Sequence, residues 1–181
     1  MRSSLLLLLL AGAAQADVQG KVTGEALSNA VVYADDLPMQ TAPEGAKARL
    51  KQQHLKFVPT VLPILQGTTV EFVNADEVAH NVFSPAHEQF DLGTFGEGTR
   101  AHLFKEPGAH VILCNVHVEM VAWILVLKNP AFTALDPSGA FKLKLPPGKH
   151  KLVLWRPRLP DVSRDIEVPE SGTVDLEWSA P

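Results

Sequence analysis

Between residues 69 and 72 the chain alternates, with Thr69 and Glu71 polar and Val70 and Phe72 apolar. The same two-residue period returns in Phe141, Leu143 and Leu145 set against Lys142 and Lys144. It returns again in Val174, Leu176 and Trp178 set against Asp175 and Glu177. A period of two sends alternate side chains to opposite faces, which is the signature of a half-buried strand. Turn signals punctuate these runs at Gln66-Gly67-Thr68, Gly96-Glu97-Gly98, Pro107-Gly108, Pro137-Ser138-Gly139 and Pro146-Pro147-Gly148. Fourteen prolines are spread along the chain and leave little room for long helices. Only residues 44–53, with Ala46, Ala48 and Leu50, read as a helical turn or two. Many short strands at regular spacing predict an all-β sandwich.

The first residues read as an export signal, residues 1–16. Arg2 supplies the basic region, the leucines at 5–10 the apolar one, and Ala14-Gln15-Ala16 the small-residue cleavage site. Cleavage after Ala16 leaves Asp17 first and takes the formal net charge from −4 to −5, because Arg2 leaves. The apolar run is shorter than the ~20 residues a bilayer span needs, and no later stretch is long and apolar enough. A soluble periplasmic protein is expected, with no membrane span. The acidic balance argues against nucleic acid as a partner. A domain boundary is expected near Lys128-Asn129-Pro130, giving a first domain at 17–128 and a small β module at 129–181. A piece of ~50 residues without disulfides or metal is marginal alone, so the tail is expected to pack on the first domain.

The chemistry concentrates in one segment. Cys114 is the chain's single cysteine, and with His117 and Met120 it forms Cys-x-x-His-x-x-Met directly after the apolar run Val111-Ile112-Leu113. One cysteine cannot form an internal disulfide. A thiolate, an imidazole and a thioether so close together make a soft ligand set, and thiolate plus two imidazoles with a weak axial Met is the ligand field of a blue-copper centre. The second imidazole is best supplied by His80, in Ala79-His80-Asn81-Val82-Phe83-Ser84, just after the strand ending at Asn74 and the turn Ala75-Asp76-Glu77. The predicted metal ligands are therefore His80, Cys114, His117 and Met120. Asn81 is predicted to act behind them, its amide tying the two ligand loops together. Asn74 and Asp76 read as turn formers. His87 is the one other histidine whose loop could approach the metal, although an exposed loop residue is the simpler reading. His54, His102, His110 and His150 read as strand-edge residues.

Competing chemistries fit less well. A Cys–His nucleophilic pair lacks an orienting third group, and catalytic cysteines more often open helices. A binuclear copper site needs two cysteines, and the paired His-x-His motifs of multicopper enzymes do not occur. Zinc is poorly served by a thioether.

These residues resemble the cupredoxin family, related to plastocyanin and amicyanin, and more particularly bacterial cupredoxins of the methylamine-utilisation or plastocyanin-like type. The resemblance rests on Phe57-Val58-Pro59, the stretch from Gly67 to Asp76, His80-Asn81-Val82-Phe83-Ser84, Phe90-Asp91-Leu92-Gly93, Pro107-Gly108 and Cys114 to Met120. Its tail pieces, Gly139-Ala140-Phe141 and Pro147-Gly148, resemble carboxypeptidase-regulatory or transthyretin-like β modules. The resemblance implies a Greek-key β-sandwich binding one copper ion through His80, Cys114, His117 and Met120. It implies a carrier of single electrons that converts no substrate itself, with redox partners docking at the edge of His117. The alternative is a copper-handling protein, a chaperone, scavenger or store built on the same site. Glu119 and Arg156 depart from the usual pattern, the first making the docking patch more acidic and the second replacing a frequent His.

Overall fold

The computed structural model describes residues 15–181, and every regular element among them is a β-strand. Two strands open the chain, β1 (Ala16–Thr23) and β2 (Val31–Ala34). Nine follow: β3 (Lys47–Gln52), β4 (Phe57–Val58), β5 (Val61–Leu65), β6 (Thr69–Asn74), β7 (His80–Ser84), β8 (Phe90–Phe95), β9 (Gly98–Leu103), β10 (Gly108–Leu113) and β11 (Val121–Leu127). Five close it: β12 (Phe132–Ala134), β13 (Ala140–Leu145), β14 (Gly148–Trp155), β15 (Val162–Val168) and β16 (Thr173–Ser179). The proposed signal segment falls on residues 1–16, and all but its last two residues lie outside the described part.

The middle nine strands make one sandwich. A five-stranded sheet in the order β5-β11-β10-β7-β8 faces a four-stranded sheet in the order β4-β3-β6-β9. Their inner faces share one core: Leu50, Val70 and Phe72 from the smaller sheet meet Ile64, Val82, Ile112, Ala122 and Ile124 from the larger. Cys114 and Met120 belong to that same core. The helical turn expected over 44–53 is absent, because β3 runs parallel to β6 over Lys47–Gln52. Its apolar spacing serves a strand: Leu50 and Gln52 point inward and are buried, while Lys47, Arg49 and Lys51 face water. Lys47 and Arg49 then bind the Glu71 carboxylate on β6, at 2.8 and 2.9 Å.

The second sandwich pairs a sheet β13-β1-β16 with a sheet β12-β2-β14-β15. Here the structure corrects the expected domain limits. Residues 16–34 do not join the sandwich at 47–127. β1 lies between β13 and β16, antiparallel to one and parallel to the other, and β2 lies between β12 and β14. Val18, Val22, Val32 and Ala34 are buried with Phe141, Leu143, Leu152, Leu154 and Trp178 in a core separate from the first. Periodicity shows that a segment is a strand but not which strand it pairs with, and here the partners come from the far end of the chain. The contact with β16 is close at Gly20, where a Cβ would sit 2.5 Å from the Leu176 carbonyl oxygen and 2.9 Å from the Phe141 ring.

A third apolar cluster joins the two sandwiches. Val31 and Trp155 from one meet Val61, Leu125 and Leu127 from the other, and the Trp123 and Trp155 rings meet edge to face at 6.1 Å. Asn129 seals the crossing, its Nδ2 donating to the Ala34 carbonyl at 2.8 Å. Two histidines expected at strand edges are buried instead. His110 lies on the interior strand β10 and His150 on the interior strand β14. Each is held by hydrogen bonds, His110 to the Glu106 carbonyl and His150 to Asp36 and the Pro146 carbonyl. Arg156 is also buried, donating to the carbonyls of Glu25 and Pro181. No helix among the described residues is long and apolar enough to cross a membrane.

Candidate metal centre

β7 and β10 are neighbours in the larger sheet, with Phe83 opposite Leu113. This pairing sets His80, the first residue of β7, beside Cys114, the first residue after β10. The chain then turns through His117, whose carbonyl accepts the Met120 N–H at 3.0 Å, and enters β11. His80, Cys114 and His117 thereby converge from two segments, and one ligand atom from each lies within 4.8 Å of the others. The two rings meet at 4.8 Å and 64°, with His80 Nδ1 and His117 Nδ1 3.0 Å apart. His80 is fully buried, Cys114 and Met120 are buried, and His117 is half-buried. The Met120 side chain packs in the core that contains Cys114.

One fully buried imidazole, one half-buried imidazole and a thiol share this site, and polar groups are tolerated inside a core only when they are partnered. The donor set fits a soft ion, because thiolate and imidazole ligands suit copper. Asn81 supports the thiol directly, its backbone N–H pointing to Cys114 Sγ at 3.4 Å. The Asn81 side chain bridges three segments: Oδ1 accepts from the Asn115 N–H at 3.4 Å and Nδ2 donates to Asp91 at 2.8 Å. Gln52 on β3 donates to the Asn81 carbonyl at 3.2 Å. The loop carrying His117 presents Val116 and Val118 to solvent, the latter 79% exposed, and Val78 is exposed as well.

Asn74 is a turn former, its Nδ2 donating to the carbonyls of Val78 and Phe95 and its Oδ1 accepting from the Asp76 N–H. Asp76, expected to do the same, instead reaches the site. Its Oδ2 lies 2.9 Å from His80 Nε2. Burial alone would push its carboxyl up, but hydrogen bonds from the Leu55 amide, the His80 ring and the His54 amide outweigh that and hold it below the ordinary carboxylate value. An Asp four residues before a proposed His ligand was the available signal for this role.

His87 does not join the centre. Its ring packs on His110 at 5.5 Å and lies against Gly108, at the opposite end of β10 from Cys114. An extended strand rises about 3.4 Å per residue, so that end is well over ~10 Å away.

No family model matches the chain, and no curated protein does. Among solved structures it is similar to a purple cupredoxin from Nitrosopumilus maritimus, at 24% identity and TM-score 0.41, over 44% of this chain and 99% of that one. It is similar to a copper-containing nitrite reductase from Thermus scotoductus SA-01, at 24% identity and TM-score 0.43, over 61% of this chain and 28% of that one. A mutant of amicyanin in its reduced Cu(I) form matches at 18% identity and TM-score 0.42, over 53% of this chain and 98% of that one.

Proposed function

We propose that the protein is an exported, periplasmic carrier of single electrons, with one copper ion held by His80, Cys114, His117 and Met120. The observation that carries this reading is the convergence of one thiol and two imidazoles on one buried point from two adjacent strands. Bound there, copper would supply a one-electron couple without proton bookkeeping. The chain's own residues do the rest. Cys114 provides the thiolate, and its sulfur receives the Asn81 N–H, which fixes its lone pairs and moderates its donor strength. Burial of His80, Cys114 and Met120 excludes water. A rigid sandwich on both sides keeps the donor set in one arrangement, which lowers the reorganisation that accompanies electron transfer. His117 is the ligand nearest the surface, and the exposed Val116 and Val118 beside it form the face on which a redox partner would dock.

The copper-handling reading draws on an open, wet site with His87 close by. Buried ligands and a remote His87 favour the carrier. The test is spectroscopic. Copper-loaded protein should show an intense visible band and a narrow parallel hyperfine splitting in electron paramagnetic resonance, and should bleach reversibly with ascorbate. A pale solution whose metal passes quickly to a chelator would remove the carrier reading.

A further inference from the structure

The turn between β3 and β4 has an unexpected sequence for its shape. Gln53 and Lys56 exchange backbone hydrogen bonds, at 2.8 and 3.2 Å, and the two central residues, His54 and Leu55, both have positive φ, 55° and 56°. Tight hairpin turns of this shape favour Asn and Gly, because a side chain in the left-handed region crowds its own backbone. Leu is a poor occupant, and holding such a residue there is costly. The compensation is visible. Asp76 accepts both central amides, His54 N–H at 2.6 Å and Leu55 N–H at 3.0 Å. Hydrogen bonds to a carboxylate are about twice as strong as neutral ones. The same carboxylate accepts from His80. Among the described residues no cation side chain pairs with Asp76, so its charge is held by two amides and one imidazole.

This fixes where the protons sit. The Asp76 carboxylate can only accept, so His80 Nε2 carries a hydrogen, and in the neutral ring His80 Nδ1 then presents a lone pair. In the His80–His117 contact at 3.0 Å the shared proton then belongs to His117 Nδ1. The neutral ring of His80 is thus held in the one tautomer whose free nitrogen faces His117 Nδ1.

We infer that Asp76 is a positioning residue for the centre: locked by the His54–Leu55 turn, it commits His80 to the Nδ1-acceptor tautomer and raises the donor strength of that nitrogen. A carboxylate partner gives an imidazole more anionic character, which favours the more highly charged state of the ion it binds. The inference about the potential rests on the copper reading; the inference about the tautomer does not.

The test compares the full chain as wild type and Asp76→Asn. Long-range proton–nitrogen NMR on the metal-free protein reads the His80 tautomer. Wild type should carry its proton on Nε2, and the Asn variant, whose amide can donate as well as accept, should populate the Nδ1–H form. With copper, the Asn variant should lose about tenfold in its preference for Cu(II) over Cu(I), a rise in potential of about 59 mV for a one-electron couple. A wild-type His80 protonated at Nδ1, or an Asn variant with unchanged tautomer and potential, overturns the inference. Should the variant not fold, the wild-type tautomer alone decides. If the wild type takes copper without a blue band, the carrier reading fails, while the NMR result still stands for or against Asp76.

Discussion

Asn81→Ala removes two hydrogen bonds and spares two. The lost pair are Nδ2 to Asp91 at 2.8 Å and Asn115 N–H to Oδ1 at 3.4 Å. The retained pair use the backbone: N–H to Cys114 Sγ and the carbonyl that accepts from Gln52. A hydrogen bond to a carboxylate contributes about 1.5–3 kcal/mol and a long neutral one about 0.5 kcal/mol. Asp91 is exposed and keeps its bond from the Gly93 amide, so no charge is left buried and the first figure falls near its lower limit. The expected loss is about 2 kcal/mol, which for a chain of this size lowers the melting temperature by about 4–8 °C. Urea unfolding followed by tryptophan fluorescence measures it. The visible band of copper-loaded protein should persist, since the N–H at the sulfur is untouched. A loss below about 0.5 kcal/mol, or a folded variant without its band, would refute the account of Asn81 as a tie between loops with its backbone serving the sulfur. A double-mutant cycle with Asp91→Ala should show a coupling above about 0.5 kcal/mol.

Cys114→Ser should abolish the visible band while circular dichroism stays that of the wild type, because the side chain is small and sits at the edge of the core. Trp155→Ala should cost about 3–5 kcal/mol and admit protease between the sandwiches, read by limited proteolysis, since Trp155 anchors the cluster that joins them. Gly20→Ala should destabilise by about 1–3 kcal/mol, because the added methyl meets backbone at Leu176; copper spectra should not change. Burial holds His102 and His110 below their ordinary value of 6.5, so both resist protonation in the fold. The unfolded chain then binds more protons below that value, and their contribution, fully present above pH 6.5, is lost as pH falls through the folded values. Urea midpoints of the metal-free protein should therefore drop on acidification from pH 7, and His110→Gln should flatten that slope.

The strands at 69–74, 140–145 and 173–179 were legible because one face of each is buried, which imposes the period of two. The meeting of Cys114 with His117 was legible because the two are neighbours in sequence and soft ligands seldom cluster by chance. The pairing of β1 with β16 was not legible, since residues so far apart leave no local trace of each other. β3 misled because Ala46, Ala48 and Leu50 are good helix formers, while its partner β6 decided the outcome. Asp76 was read as a turn former because its task depends on a turn at 53–56 that only the folded sheet brings alongside it.

The sandwich that carries His80, Cys114 and His117 is spliced into the other one, entering after β2 and leaving before β12. A chain delivered from its N-terminus therefore holds β1 and β2 in waiting while the inserted unit closes on itself as soon as β11 arrives. The enclosing unit cannot complete its sheets until β16 emerges. In such vectorial delivery every strand of the inner sandwich is available before β16 can pair with β1, so Cys114 can be enclosed in its core before the outer sheets are complete.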